Sequence, residues 1–137
     1  MYEKILVPLD GSPVDEAILK HIARLAPIHN SSVILLRVAH YHTRDGRAHE
    51  TEDARAYLDK VERELRELGL TVTSVIAPGE PADVILAEAE SRDCDLIAMA
   101  THGHKLLGDL FLGSVATEIR HRTSIPILLI RGGSTLS

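Results

Sequence analysis

Leu96-Ile97-Ala98-Met99-Ala100-Thr101-His102-Gly103, followed after nine residues by Gly113-Ser114, is the stretch that decides the fold of this chain. Leu96 to Met99 is an apolar run that reads as a buried strand, and Gly113-Ser114-Val115-Ala116 reads as the start of a helix. A glycine-bearing connection of this kind presents unbonded main-chain N–H groups to an anion at the helix N-terminus, and the helix dipole adds to the attraction. Gly103 and Gly113 have no Cβ, so the main chain can approach a ligand closely. The spacing therefore points to a strand–loop–helix unit that binds phosphate or a nucleotide.

Working outward, four further apolar runs alternate with amphipathic segments. The five predicted strands are Lys4 to Leu9, Ser32 to Val38, Thr71 to Ala77, Asp95 to Ala100 and Ile125 to Ile130. Most are apolar on both faces, as a parallel sheet covered by helices requires. The first helix is expected near Ser12, with Pro13 at N1 and Asp15 and Glu16 in the first turn. The second carries Tyr57, Val61, Leu65 and Leu68 at helical spacing and stops at Gly69. The third begins near Pro81, the fourth runs from Ser114 towards Thr123, and Pro126 is expected at the head of the last strand. Right-handed crossovers then give a single α/β domain over residues 1–137. It is an open, doubly wound five-stranded parallel sheet of order 3-2-1-4-5, with a ligand crevice flanked by the first and fourth strands.

Composition narrows the functional classes. The chain has 137 residues, 45% of them apolar and 26% charged, and a net charge of −5. That balance fits a soluble globular domain in the cytoplasm and argues against general nucleic-acid binding. No run is long enough to insert in a membrane, and the N-terminus has no secretory apolar region. The one cysteine, Cys94, beside a predicted strand, is expected to be structural. Ala39 to Glu50 is polar, holds His40, His42 and His49, and is the expected mobile flap. The eight histidines lack partners at ligand spacing, so no dedicated metal site is expected. Gly-x-Ser-x-Gly, Gly-Lys-Ser/Thr and His-Glu-x-x-His motifs are absent, which removes the usual hydrolase, P-loop and zinc-protease mechanisms.

Lys4-Ile5-Leu6-Val7-Pro8-Leu9-Asp10-Gly11-Ser12, Val33-Ile34-Leu35-Leu36-Arg37-Val38, Gly79-Glu80-Pro81-Ala82 and the segment ending in Gly113-Ser114 together resemble the universal stress proteins, over nearly the whole chain. Nucleotide-binding members of that family show Gly-x-x-Gly, nine residues, then Gly-Ser or Gly-Thr. This chain has Ala100 at the first glycine, a methyl group that should narrow the site rather than close it. The resemblance implies an adenine nucleotide alpha hydrolase-like fold and an ATP-, ADP- or AMP-binding site. In it, Asp10 sits by the ribose or a phosphate-bound Mg ion, and Pro8 and Val38 shape the adenine pocket. Met99 and Ala100 lie against the nucleoside, and His102, Gly103, Gly113, Ser114 and Val115 meet the phosphates. Lys105 reaches the terminal phosphate by the charge argument that an acidic chain must gather positive potential locally.

Each of these residues also has a structural reading. Gly103 and Gly113 suit turns or caps, Asp10 an Asx turn, His102 a bond within its loop, and Lys105 a solvated surface. The resemblance further implies a regulatory module acting in the stress response. It implies a homodimer through the edge strand Ile125 to Ile130 and a protein partner of unknown identity. The other readings are a dimeric interaction protein of the same family without nucleotide, and a slow ATP hydrolase or nucleotidyl-transfer enzyme.

Overall fold

In the computed structural model, the backbone is described for residues 1–39, 44–102 and 106–132, and side chains for those outside 40–51, 102–113 and 133–137. Among the described residues nine elements alternate: β1 (Lys4–Leu9), α1 (Asp15–His29), β2 (Ser32–Ala39), α2 (Arg44–Glu67), β3 (Thr71–Pro78), α3 (Pro81–Ser91), β4 (Leu96–His102), α4 (Leu106–Arg122) and β5 (Ile127–Gly132). The sheet is five-stranded and parallel, ordered β3-β2-β1-β4-β5 as expected.

Alternation along the strands builds two cores. Ile5, Val7 and Leu9 of β1 point to one face, where Ile18 and Ile22 of α1 and Leu58, Val61 and Leu65 of α2 cover them. Leu6 of β1, with Ile34 and Leu36 of β2, points to the other face and packs with Ile85 and Leu86 of α3 and Ile119 of α4. Successive leftward crossovers from β1 to β3 place α1 and α2 together, and the reversal at β3→β4 places α3 and α4 opposite. Winding thus reverses between β1 and β4.

That junction opens at its carboxyl end. β1 and β4 pair at Ile5↔Leu96 and Leu6↔Ile97, and the ladder goes no further although both strands continue. Pro8 lies in the unpaired stretch and has no N–H to extend it. By contrast β1 and β2 stay in register from Lys4↔Ser32 to Leu9↔Arg37. The opening is where a doubly wound sheet places its ligand.

Several boundaries differ from expectation. α1 begins at Asp15 rather than Ser12, because Ser12 to Val14 form turns closed by Asp15 N–H to Ser12 O and Glu16 N–H to Pro13 O, 3.1 Å each. α2 begins at Arg44, so Arg44 to Glu50 is helical rather than part of a flap; His40 and His42 lie outside the described residues. α2 ends as its glycine suggests, with Gly69 at φ +94° and Leu70 N–H bonded to Leu65 O, which leaves Leu68 exposed beyond the last turn. α3 begins at Pro81 as expected. β5 starts at Ile127, with Pro126 just before it offering its carbonyl to Ile97 N–H.

The largest correction concerns α4. It starts at Leu106, so Gly113 and Ser114 lie about two turns inside a helix instead of at its N-terminus. Leu106, Leu107, Leu110, Phe111 and Leu112 favour helix and extend it back through the segment that glycine spacing alone marked as loop.

Candidate functional site

A cleft of about 260 Å³ occupies the opening between β1 and β4. Pro8 and Leu9 form its floor, with Asp10 at the end of β1; Val38 closes one side, Met99 and Ala100 the other, and Pro81, Ile85 and Val115 come from α3 and α4. The walls are mostly aliphatic with a few polar groups at the mouth, the usual make-up of a small-molecule site.

Six residues expected from the sequence therefore meet here: Pro8, Asp10, Val38, Met99, Ala100 and Val115. The others do not all join them. Ser114 is exposed on α4, Gly113 lies within that helix, and His102 is the last residue of β4. Gly103 and Lys105 lie outside the described residues. Asp10 meets its structural reading as well as its ligand one: its Oδ1 accepts the Ser12 N–H at 2.8 Å, an Asx turn, while the residue lines the cleft.

Sequence reasoning missed a second polar layer behind Asp10. Asp15, 3% exposed, is in the first turn of α1 as expected, and its carboxylate also folds back to hold the Asp10–Gly11 turn. Asp15 Oδ1 accepts the Asp10 N–H at 3.2 Å, and Oδ2 accepts the Gly11 N–H at 2.9 Å and the Tyr57 hydroxyl at 2.6 Å. Burial pushes its carboxyl up to about 6, against the opposing pull of Tyr57 and the two amides. Burial and the Asp15 bond raise the Tyr57 phenol above its ordinary range, so it remains a donor.

Arg37 completes this layer. It follows the β2 alternation onto the α2 side, where its guanidinium lies 5.7 Å from the Tyr57 ring centre, and it lines the cleft beside Val38. Gly11 makes the arrangement possible. Its φ is +84°, and a Cβ there would stand 2.6 Å from an Arg37 guanidinium nitrogen. The signals in the sequence were an Asp four residues after Gly11 and an Arg in an otherwise apolar strand.

Away from the cleft, Cys94 is buried and burial pushes its thiol up to about 11, the character of a packing residue. Among the described residues, no cluster of three His, Cys, Asp or Glu could hold a metal ion, and no helix is long and apolar enough to cross a membrane.

Fold and cleft define a doubly wound α/β domain with a mostly aliphatic cleft at its topological switch point. The model of the universal stress protein family matches residues 1–131, and the chain belongs to that family. Universal stress protein MJ0577 of Methanocaldococcus jannaschii is 29% identical over 155 residues, covering 96% of each chain. Its solved structure superimposes with a TM-score of 0.85 over 98% of this chain and 99% of that one. A universal stress protein in complex with cAMP (TM-score 0.74, 19% identity, 94% and 96% covered) shares the fold. So does one from Archaeoglobus fulgidus in complex with dAMP (0.69, 20%, 94% and 98%).

Proposed function

We propose that the protein is an adenine-nucleotide-binding regulatory module whose occupancy alters its shape or its partners. The observation that carries this reading is the cleft: an aliphatic slot at the switch point, bordered by six of the residues that the family resemblance assigns to nucleotide, Asp10 among them. Universal stress proteins of the same fold form complexes with cAMP and with dAMP, which supports an AMP-type ligand. ATP is the larger member of this class. Its phosphates would extend towards the Gly103–Ser114 segment. Reaching the Gly113 and Ser114 amides would require the first turns of α4 to open, since helix-interior amides are committed to carbonyls four residues back.

Asp10 lines the cleft with a carboxylate, a ligand type suited to a Mg ion carried in by phosphates rather than held in a protein cage. Bound there, Mg would neutralise phosphate charge. In this reading the protein is a homodimer through β5, where Leu129 is 49% exposed on the sheet edge, and it works in the cytoplasm.

Calorimetry with AMP and with ATP plus magnesium, on protein checked for carried-over nucleotide, tests the reading. Micromolar binding is expected, lost in Ala100→Leu, whose added bulk fills the slot while circular dichroism and thermal unfolding stay those of a folded domain. No heat and no carried-over nucleotide would overturn it in favour of a dimeric interaction protein.

A further inference from the structure

Arg37 is the one cation among the described residues that line the cleft. It is half-buried, yet among the described residues no carboxylate comes within ion-pair distance of it, unlike Arg66, Arg92 and Arg122, which each hold a glutamate. Its guanidinium lies 5.7 Å from the Tyr57 ring centre and packs over Gly11, two contacts that restrict where it can sit. Tyr57 is in turn anchored by Asp15, which also holds the Asp10–Gly11 turn. The chain thus holds a guanidinium beside an apolar slot, with no carboxylate among the described residues paired to it.

We infer that Arg37 is an anion-recognising residue of the cleft, favouring ligands that carry phosphate on the ribose over the uncharged nucleoside. The inference rests on the nucleotide reading above and adds to it the group that selects charge. Position supports the assignment: Arg37 adjoins Val38 at the β2 side of the slot, next to Asp10, so it meets a ligand where the sugar would lie between base and phosphate. A planar fork suits phosphate oxygens, and a charge-assisted bond of this kind commonly changes affinity about tenfold or more. In a chain of net charge −5, a phosphate ligand needs such a local cation.

Dissociation constants for adenosine, AMP and cAMP, measured on wild type, Arg37→Gln and Arg37→Lys, test it. Wild type is expected to prefer AMP or cAMP to adenosine by roughly tenfold or more. Arg37→Gln should remove most of that preference while adenosine affinity stays within about twofold, and Arg37→Lys should retain part of it. Equal loss for all three ligands in Arg37→Gln would make Arg37 a structural support and overturn the inference. An unchanged preference would also overturn it, by placing charge recognition elsewhere. Wild type that binds none of the three would remove the nucleotide reading itself, and this inference with it.

Discussion

The two rims of the cleft are built differently. On the β1–β2 rim, the Asp10–Gly11 turn is tied by two amide bonds to Asp15, Asp15 by a hydroxyl bond to Tyr57, and Arg37 is stacked above. The β4–α4 rim offers Met99, Ala100 and Val115, an aliphatic wall. One rim is shaped by polar side chains from three elements and the other by strand alternation and helix packing. The contrast teaches that polar recognition and pH sensitivity should concentrate on the first rim, and steric selection on the second.

Gly11→Val should produce the largest effect, because it breaks the first rim at two points. The added side chain must adopt a left-handed backbone and displaces the Arg37 guanidinium. A loss of about 3 to 4 kcal/mol in urea unfolding is expected. A loss below about 1 kcal/mol would mean that the turn is not held as described.

Asp15 sharpens the contrast through pH. Its native pKa, raised to about 6 from 3.8, means that the folded protein holds this proton more tightly than the unfolded chain. The stability contributed is fully present below about pH 4 and is lost as pH rises through about 6. Between pH 4 and 7, Asp15→Asn should therefore gain about 2 to 3 kcal/mol relative to wild type. A constant difference between the two proteins across that range would contradict the buried, raised carboxyl.

Tyr57→Phe keeps the ring under Arg37 and removes the bond to Asp15. A cost of about 1 kcal/mol near pH 7 is expected, with the Asp15 titration, followed by carboxyl NMR shifts, moving further up because a bond that lowers it is gone. Leu129→Glu, on the sheet edge away from both rims, should change monomer stability by less than about 0.5 kcal/mol and leave the affinity for AMP unaltered. Sedimentation should show the dimer proposed through β5 weakened; an unmoved monomer–dimer equilibrium would place any self-association elsewhere.

What the sequence disclosed follows the same division. Strand order, both cores and the apolar wall were legible, because the near-continuous apolar runs in Lys4–Leu9 and Ser32–Ala39 and the helical spacing of Tyr57, Val61 and Leu65 report burial directly. Asp15 was visible as a helix-start acid, but its turn back onto Asp10 and Gly11 depends on a tertiary partner, Tyr57, 42 residues away. Arg37 was given no role from the sequence, because its contact with the Tyr57 ring depends on α2 packing against β2. The start of α4 was misplaced because glycine spacing was weighed above the leucine-rich run from Leu106, where local helix propensity prevails.

The central claim is that the switch-point cleft is the ligand site, and titration of nitrogen-15-labelled protein with AMP tests it most directly. The account predicts amide shifts concentrated at Asp10, Gly11, Val38, Met99, Ala100 and Val115, saturating at micromolar to low-millimolar ligand. Shifts confined to β5 or the outer face of α2, or none at all, would contradict it.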